Sequence, residues 1–384
     1  MPLAKEHLTE LASNKLDLTR RQFVLGGLSV FTLSSISLYA LTKEKKRPKN
    51  LLLSSATDRY GQHYLAALTI TGEIYFKILI FERAHDSLYN PLTQQAVYFG
   101  RSPSRTIYVV DMIGKRLSTV VNAMPDRHFY GHGIMDKACR YLFAVENNIK
   151  SNRGCIGVYD VLENYKRVGE LSTYGVGPHQ ALFLSDDATL VVANGGLISG
   201  SSQFKKKISQ RSFESSLAYI DSHTGELLDF CQTQYSQLSL RHLTRGNDDR
   251  IFVGAQSYRN TETPLIFSHA NGENLMPLHA DDNIWKSHNC YTASLALGGS
   301  VLSVSSPRGN IVSFWNTETQ AYVSMLHRSD TAGICTSSSS NRPTLFATTG
   351  SGLLVAIDSK NKRVLHNTIT GRIAWDNHLS LATF

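Results

Sequence analysis

One unit recurs along this 384-residue chain, and it restricts the possible folds more than any other feature. An apolar strand ends in a polar residue, a turn follows, and a second strand returns. The unit reads Tyr108-Val109-Val110-Asp111 with Gly114, Gly157-Val158-Tyr159-Asp160, and Leu217-Ala218-Tyr219-Ile220-Asp221 with Gly225. Further copies end at Thr69, His269, Asn316 and Asp358. Successive anchors are 42, 49, 61, 48, 47 and 42 residues apart, and the long interval holds the Ser/Lys-rich stretch 201–216, expected as a surface loop. Asp at the strand end bonds its own following backbone, and Gly accepts the positive φ of a tight turn. A period near 45 with four short strands per unit is what a propeller blade requires.

The expected fold is therefore all-β, a seven-bladed β-propeller of four-stranded blades over residues 51–384. Blade four parses as His179–Leu184, Thr189–Ala193, Leu217–Ile220 and Glu226–Phe230. Blade one has runs at 51–56, 64–68 and 73–78 but no innermost strand before them. The apolar segment 378–384 is unpaired and stands where an eighth unit would begin, so it is expected to close the ring by pairing into the N-terminal blade. A six- or eight-bladed ring with one unit miscounted is the competing parse.

Residues 1–50 are set aside as a signal or anchor with a linker. Thr19-Arg20-Arg21-Gln22-Phe23-Val24-Leu25 resembles the twin-arginine export signal, an apolar stretch runs to Leu41, and Lys43-Glu44-Lys45-Lys46-Arg47 follows. The resemblance implies passage through the twin-arginine translocase as a folded protein and a periplasmic location. No clean small-residue cleavage site follows the apolar stretch, so an uncleaved tether to the inner membrane is an open alternative, and the membrane is met only through this segment. The net charge of +8 belongs largely to the tail: residues 1–50 carry nine Lys/Arg against four Asp/Glu, leaving +3 for the body. A nucleic-acid binder concentrates basic charge on its folded body, so nucleic acid is not an expected partner. Five cysteines without a C-x-x-C pair indicate neither a disulfide framework nor a thiolate metal site.

The period also explains the histidines. His85, His132, His179, His242, His288 and His378 lie 16, 21, 19, 21, 19 and 20 residues after the preceding anchor, which places them at the start of innermost strands. Blade seven offers Asp330 there instead. Inner strands line the central channel, so these side chains converge on one mouth, beside the loops joining second and third strands. Neutral imidazole donates a lone pair to iron, copper or zinc. The candidate metal ligands are His128, His132, His179, His242 and His378, with iron or copper the expected ion. Around them, His85, Arg127, Glu146, Asn194, Arg241, Arg308, Asp330, Asp376 and Asn377 are candidates for supporting or ligand-binding roles, Asp376 and Glu146 as groups that orient a ring. Some in-register histidines are expected to be structural, bonding loop carbonyls across blades, and His288 most of all. An anion held by Arg101, Arg127, Arg241 and Arg308 is the alternative ligand. The chain has no H-E-x-x-H and no G-x-S-x-G elbow, so hydrolases of the common kinds are disfavoured.

Seven ordered motifs, at 128–132, 154–160, 175–179, 193–196, 239–243, 305–309 and 375–379, resemble the bacterial domain of unknown function 1513 family. The resemblance implies twin-arginine-exported periplasmic propellers encoded beside imelysin-type iron-regulated proteins and di-haem oxidoreductase-like proteins. Those proteins are the expected partners, and an accessory role in iron acquisition is the implied function. It implies no mechanism, and the expectation leans away from an enzyme. Two other readings stay open: a propeller enzyme of lactonase-like or quinoprotein oxidoreductase-like type, and a docking scaffold for iron-uptake proteins.

Overall fold

Seven antiparallel sheets account for nearly every ordered segment of the computed structural model, which describes residues 48–197, 213–259, 261–337 and 343–384. Each sheet is one blade of four strands in sequence order from the channel outward, except the first. Blade two runs Ala84–Asn90, Gln95–Gly100, Thr106–Asp111 and Arg116–Asn122, and the other blades repeat this plan. Blade four runs Pro178–Phe183, Thr189–Asn194, Ser216–Asp221 and Leu227–Gln232. The expected export signal and most of the expected surface loop (201–212) lie outside the described residues. Among the described residues, no helix is long and apolar enough to cross a membrane.

Burial follows strand position. Second and third strands are covered by neighbouring blades on both faces and are apolar on both, as in Ile251–Ser257, where every residue is buried. Fourth strands face water on one side and alternate, as in Lys166–Ser172. The core is divided among the interfaces between blades. Phe99, Phe129 and Tyr159 join blades two and three, and Leu240, Phe267 and Trp285 belong to the cluster spanning blades four to six. The five cysteines are all free thiols, and only Cys155 is buried.

The ring closes in blade one, by a longer segment than the sequence pattern indicated. Ile373–Trp375 pairs with Ala56–Asp58, and Ser380–Thr383 pairs with Asn50–Leu53. Between these pairings, four residues (Asp376 to Leu379) stand opposite two (Ser54 and Ser55), so the innermost strand of blade one bulges at that point. The bulge is tied down by Asp376 N–H donating to Ser55 O (3.0 Å) and Ser54 Oγ–H donating to His378 O (2.7 Å).

Similar irregularities recur around the channel. The innermost strands of blades two, three, four, five and seven all shift register against their partners: at 84–87, 129–133, 178–180, 240–242 and 331–334. A bulge adds an unpaired residue and re-aims its side chain. In blades one to five that residue or its neighbour is a histidine. Blade six keeps a regular inner strand, Ser294–Gly298.

Candidate metal centre

Five histidines, one from each of five consecutive blades, meet at the channel. In blade order they are His378, His85, His132, His179 and His242. Successive ring centroids are 4.5, 5.0, 4.7 and 4.7 Å apart, and His242 closes the circle onto His378 at 4.9 Å. All five are at most 9% exposed, and His132 is wholly buried. The nitrogens of His85, His132 and His179 lie within 4.8 Å of one another, as do those of His132, His242 and His378. His132 belongs to both triads.

Local backbone chemistry makes this crowding possible. Gly131 adopts φ +97°, and a Cβ there would sit 2.9 Å from His85 Cδ2. The glycine therefore lets the blade-three bulge press against the blade-two ring. Gly333 does the same for blade one, since a Cβ would come within 2.8 Å of the His378 carbonyl carbon.

The ring nitrogens divide into held and unheld. A carboxylate only accepts, so His85 Nδ1–H donates to Asp376 Oδ1 and His132 Nδ1–H donates to Asp86 Oδ2, both at 2.8 Å. This fixes the tautomer and leaves each Nε2 with its lone pair directed away from the carboxylate. The four buried ring atoms His132 Nε2, His179 Nδ1, His242 Nδ1 and His378 Nε2 have no hydrogen-bond partner. Each buried polar atom left unpaired costs about 1–3 kcal/mol, and four in one cluster are an unusual concentration.

Charge state agrees with lone-pair donation. Burial pushes the His85 ring below its usual range despite the raising effect of Asp376. Burial, then the neighbouring rings and arginines, hold His179, His242 and His378 well below it. Burial alone would raise the Asp376 carboxyl, but the His85 hydrogen bond with Arg83 and Arg101 brings it down to about 2. Asp376 is thus a fixed anion behind a neutral imidazole, and a carboxylate so placed can orient and strengthen an imidazole toward a metal.

The other residues singled out in the sequence separate clearly. His128 is not among the five: its ring packs on Tyr130 (5.2 Å) instead. Bulging starts after Phe129, so His128 keeps regular pairing with Asn147 and is not re-aimed. His85, expected in a supporting role, sits inside the cluster. His288 ends the short helix Asp282–Ser287, bonding Ile284 O and Ser313 Oγ at 2.8 and 2.9 Å, and is structural. Glu146 orients no cluster histidine, because Tyr159 O–H and Arg167 occupy its two oxygens. Arg127 bridges Asp126 and Glu170 in the same blade-three network. Glu146, Glu170 and Cys155 lie close together, but two arginines neutralise the carboxylates and burial pushes the thiol up to about 12. That group is an ion-pair network and not a ligand set. Asn194 pins blade four by donating to Thr173 O. Asp330 packs beside Gly350, apart from both triads. Asp86, which sequence reasoning did not single out, is the partner of His132. Its only signal was adjacency to the in-register His85.

Above the cluster a cavity of about 140 Å³ opens, lined by His85, His179 and His242 together with Arg101, Arg241, Tyr130, Tyr291 and Asn377. Asn377 Nδ2–H donates to Tyr291 O–H (3.2 Å), and the Arg308 guanidinium lies 4.3 Å over the Tyr291 ring.

Residues 78–382 match the model of a family described as protein of unknown function (DUF1513). The chain belongs to this family. The match begins in the outer strand of blade one and ends in the closing strand, so it includes all five clustered histidines. No curated protein matches the chain. Among solved structures, the Kuenenia stuttgartiensis hydrazine synthase is similar at 14% identity and a TM-score of 0.54, covering 82% of this chain and 94% of that one. At that identity the likeness shows the propeller fold alone.

Proposed function

We propose that this DUF1513 protein is a metal-binding propeller whose five channel histidines hold a first-row transition ion, iron or copper. The observation that carries the reading is the pair of histidine triads sharing His132, with one nitrogen per ring within 4.8 Å of the others in its triad, a partnerless buried nitrogen on four of the five rings and carboxylates behind two. Nitrogen atoms up to 4.8 Å apart are slightly wider than the ~4.2 Å limit for two ligands ~2.1 Å from one ion, a gap that ring rotation closes. An all-imidazole set suits copper, zinc, nickel and iron, and copper(II) heads the affinity order. His132, common to both triads, is the central ligand. His85 and His179 complete one triad with it, His242 and His378 the other.

The twin-arginine-like motif at Arg20-Arg21 supports placing this role outside the cytoplasmic membrane. The resemblance noted in the sequence supports an accessory part in iron acquisition, with imelysin-type and di-haem oxidoreductase-like proteins as partners. The reading is tested by titrating purified protein with copper, iron and zinc and measuring bound metal. About one equivalent is expected, and His132→Ala should weaken binding far more than His366→Ala, a change on an outer strand. Absence of any saturable site for all three metals would sink it.

A further inference from the structure

Arg241 is a buried guanidinium with no carboxylate partner among the described residues. It is 7% exposed and next in sequence to His242, and its Nε has no partner. Its nearest hydrogen bond, Nη2–H to Tyr258 O–H, is long at 3.4 Å, and it forms no ion pair with any described carboxylate. A guanidinium buried without a counter-charge is costly, because it has lost water and gained no anion. Arg241 nevertheless lines the cavity above the histidines, and Arg101 lines it as well.

The charges around this cavity do not balance. No carboxylate lines it, and Asp376, buried behind His85, is already committed: to Arg83 Nε at 2.5 Å and to His85 at 2.8 Å. Arg101 reaches it only at 3.7 Å. Asp86 is bonded to His132. Two arginines therefore face the cavity with no carboxylate given over to either. A bound metal cation beneath them would add to the surplus. Tyr291 and Asn377 supply further polar groups on the wall.

We infer that this cavity binds a small oxyanion, a carboxylate or an inorganic oxyanion, clamped between Arg101 and Arg241 over the histidine cluster. Arginine's planar fork matches both oxyanion classes. The inference deepens the metal reading, since the anion would sit over the ion's open side, but the arginine pair stands on its own geometry.

The test titrates formate and phosphate separately into copper-loaded and metal-free wild-type protein, following heat release in both and the copper visible spectrum in the first. Saturable binding of either anion is expected, formate pointing to a carboxylate and phosphate to an inorganic source. Arg241→Gln and Arg101→Gln should each weaken it at least tenfold in the metal-free protein as well as in the copper-loaded one, and Arg241→Lys should recover part of the loss. Two variants are used because replacement of the buried Arg241 can disturb folding, whereas Arg101 is part-exposed. If copper is not retained, the metal reading fails and the metal-free arm decides alone. Absence of saturable binding of both anions, or glutamine variants that bind as tightly as wild type, overturns the proposal.

Discussion

At the scale of single residues, two carboxylates distinguish this cluster from a fortuitous meeting of histidines. Asp376 and Asp86 each hold an Nδ1–H and thereby direct Nε2 at the neighbouring rings. Asp376→Asn and Asp86→Asn keep the size and remove the charge, so each should lower metal affinity by about 10–100-fold in a competition titration. Asp330→Asn, outside the cluster, should leave it unchanged. Equal affinities for all three variants would mean that the carboxylates support the fold and not the ion. The sequence made Asp376 legible through its neighbours Trp375, Asn377 and His378. Asp86 was hidden for a physical reason. In a regular strand, consecutive residues face opposite sides, so an aspartate next to an inward histidine should point away. The bulge at 84–87 breaks that alternation and lets His85 and Asp86 both serve the channel.

At the scale of elements, the bulged inner strand is the device that gathers the histidines at the channel. The spacing of the histidines was visible as a 45-residue rhythm, but the bulges were not, because period-two patterning assumes an unbroken strand. Both His128 and His132 were candidate ligands in sequence, though only His132 kept the register, and the bulge after Phe129 separates them in the structure. Gly131 allows the blade-three bulge, and Gly131→Ala should destabilise the protein by about 1–3 kcal/mol in chemical denaturation, from the left-handed φ it must keep. Because its Cβ would press on His85, metal affinity should fall as well. A variant as stable and as tightly binding as wild type would refute the role of the glycine.

Blade six has no such bulge, and its histidine serves packing. Burial brings His288 down to about 4, against an ordinary value of 6.5. Below pH 6.5 the unfolded chain takes up a proton that the folded chain refuses until about pH 4. His288 therefore stabilises nothing by charge above pH 6.5, and costs stability progressively as pH falls toward 4, by about 3 kcal/mol in total. His288→Gln has no proton to take up. Urea unfolding of both proteins should show the wild-type advantage shrinking by about that amount between pH 7.5 and 4. Parallel stability curves would mean that the ring is not held neutral.

At the scale of the molecule, the ring is a chain of interfaces with one seam. Among the described residues, the inner edge of Asn50–Asp58 pairs only with residues 373–383 of the other chain end. Deleting residues 373–384 would expose that edge, remove His378 and Asp376, and uncouple blades one and seven. The truncated protein should lose its cooperative thermal transition and self-associate on size exclusion. A monomer with an unchanged transition would show that closure is dispensable. The number of blades and the closing role of the C-terminus were readable from the recurring strand–turn units and the incomplete first blade. The starting point of closure was not, because Asp376 to Leu379 interrupts the strand and disguises Ile373–Trp375 as part of a loop.

The functional proposal stands or falls on whether the channel histidines are metal ligands. X-ray absorption at the metal edge of copper-loaded protein reads those ligands themselves. The predicted spectrum has a nitrogen shell at ~2.0–2.1 Å with imidazole scattering from at least three rings, reduced in His132→Ala. A sulfur shell at ~2.3 Å, or a spectrum that His132→Ala leaves unaltered, would contradict it.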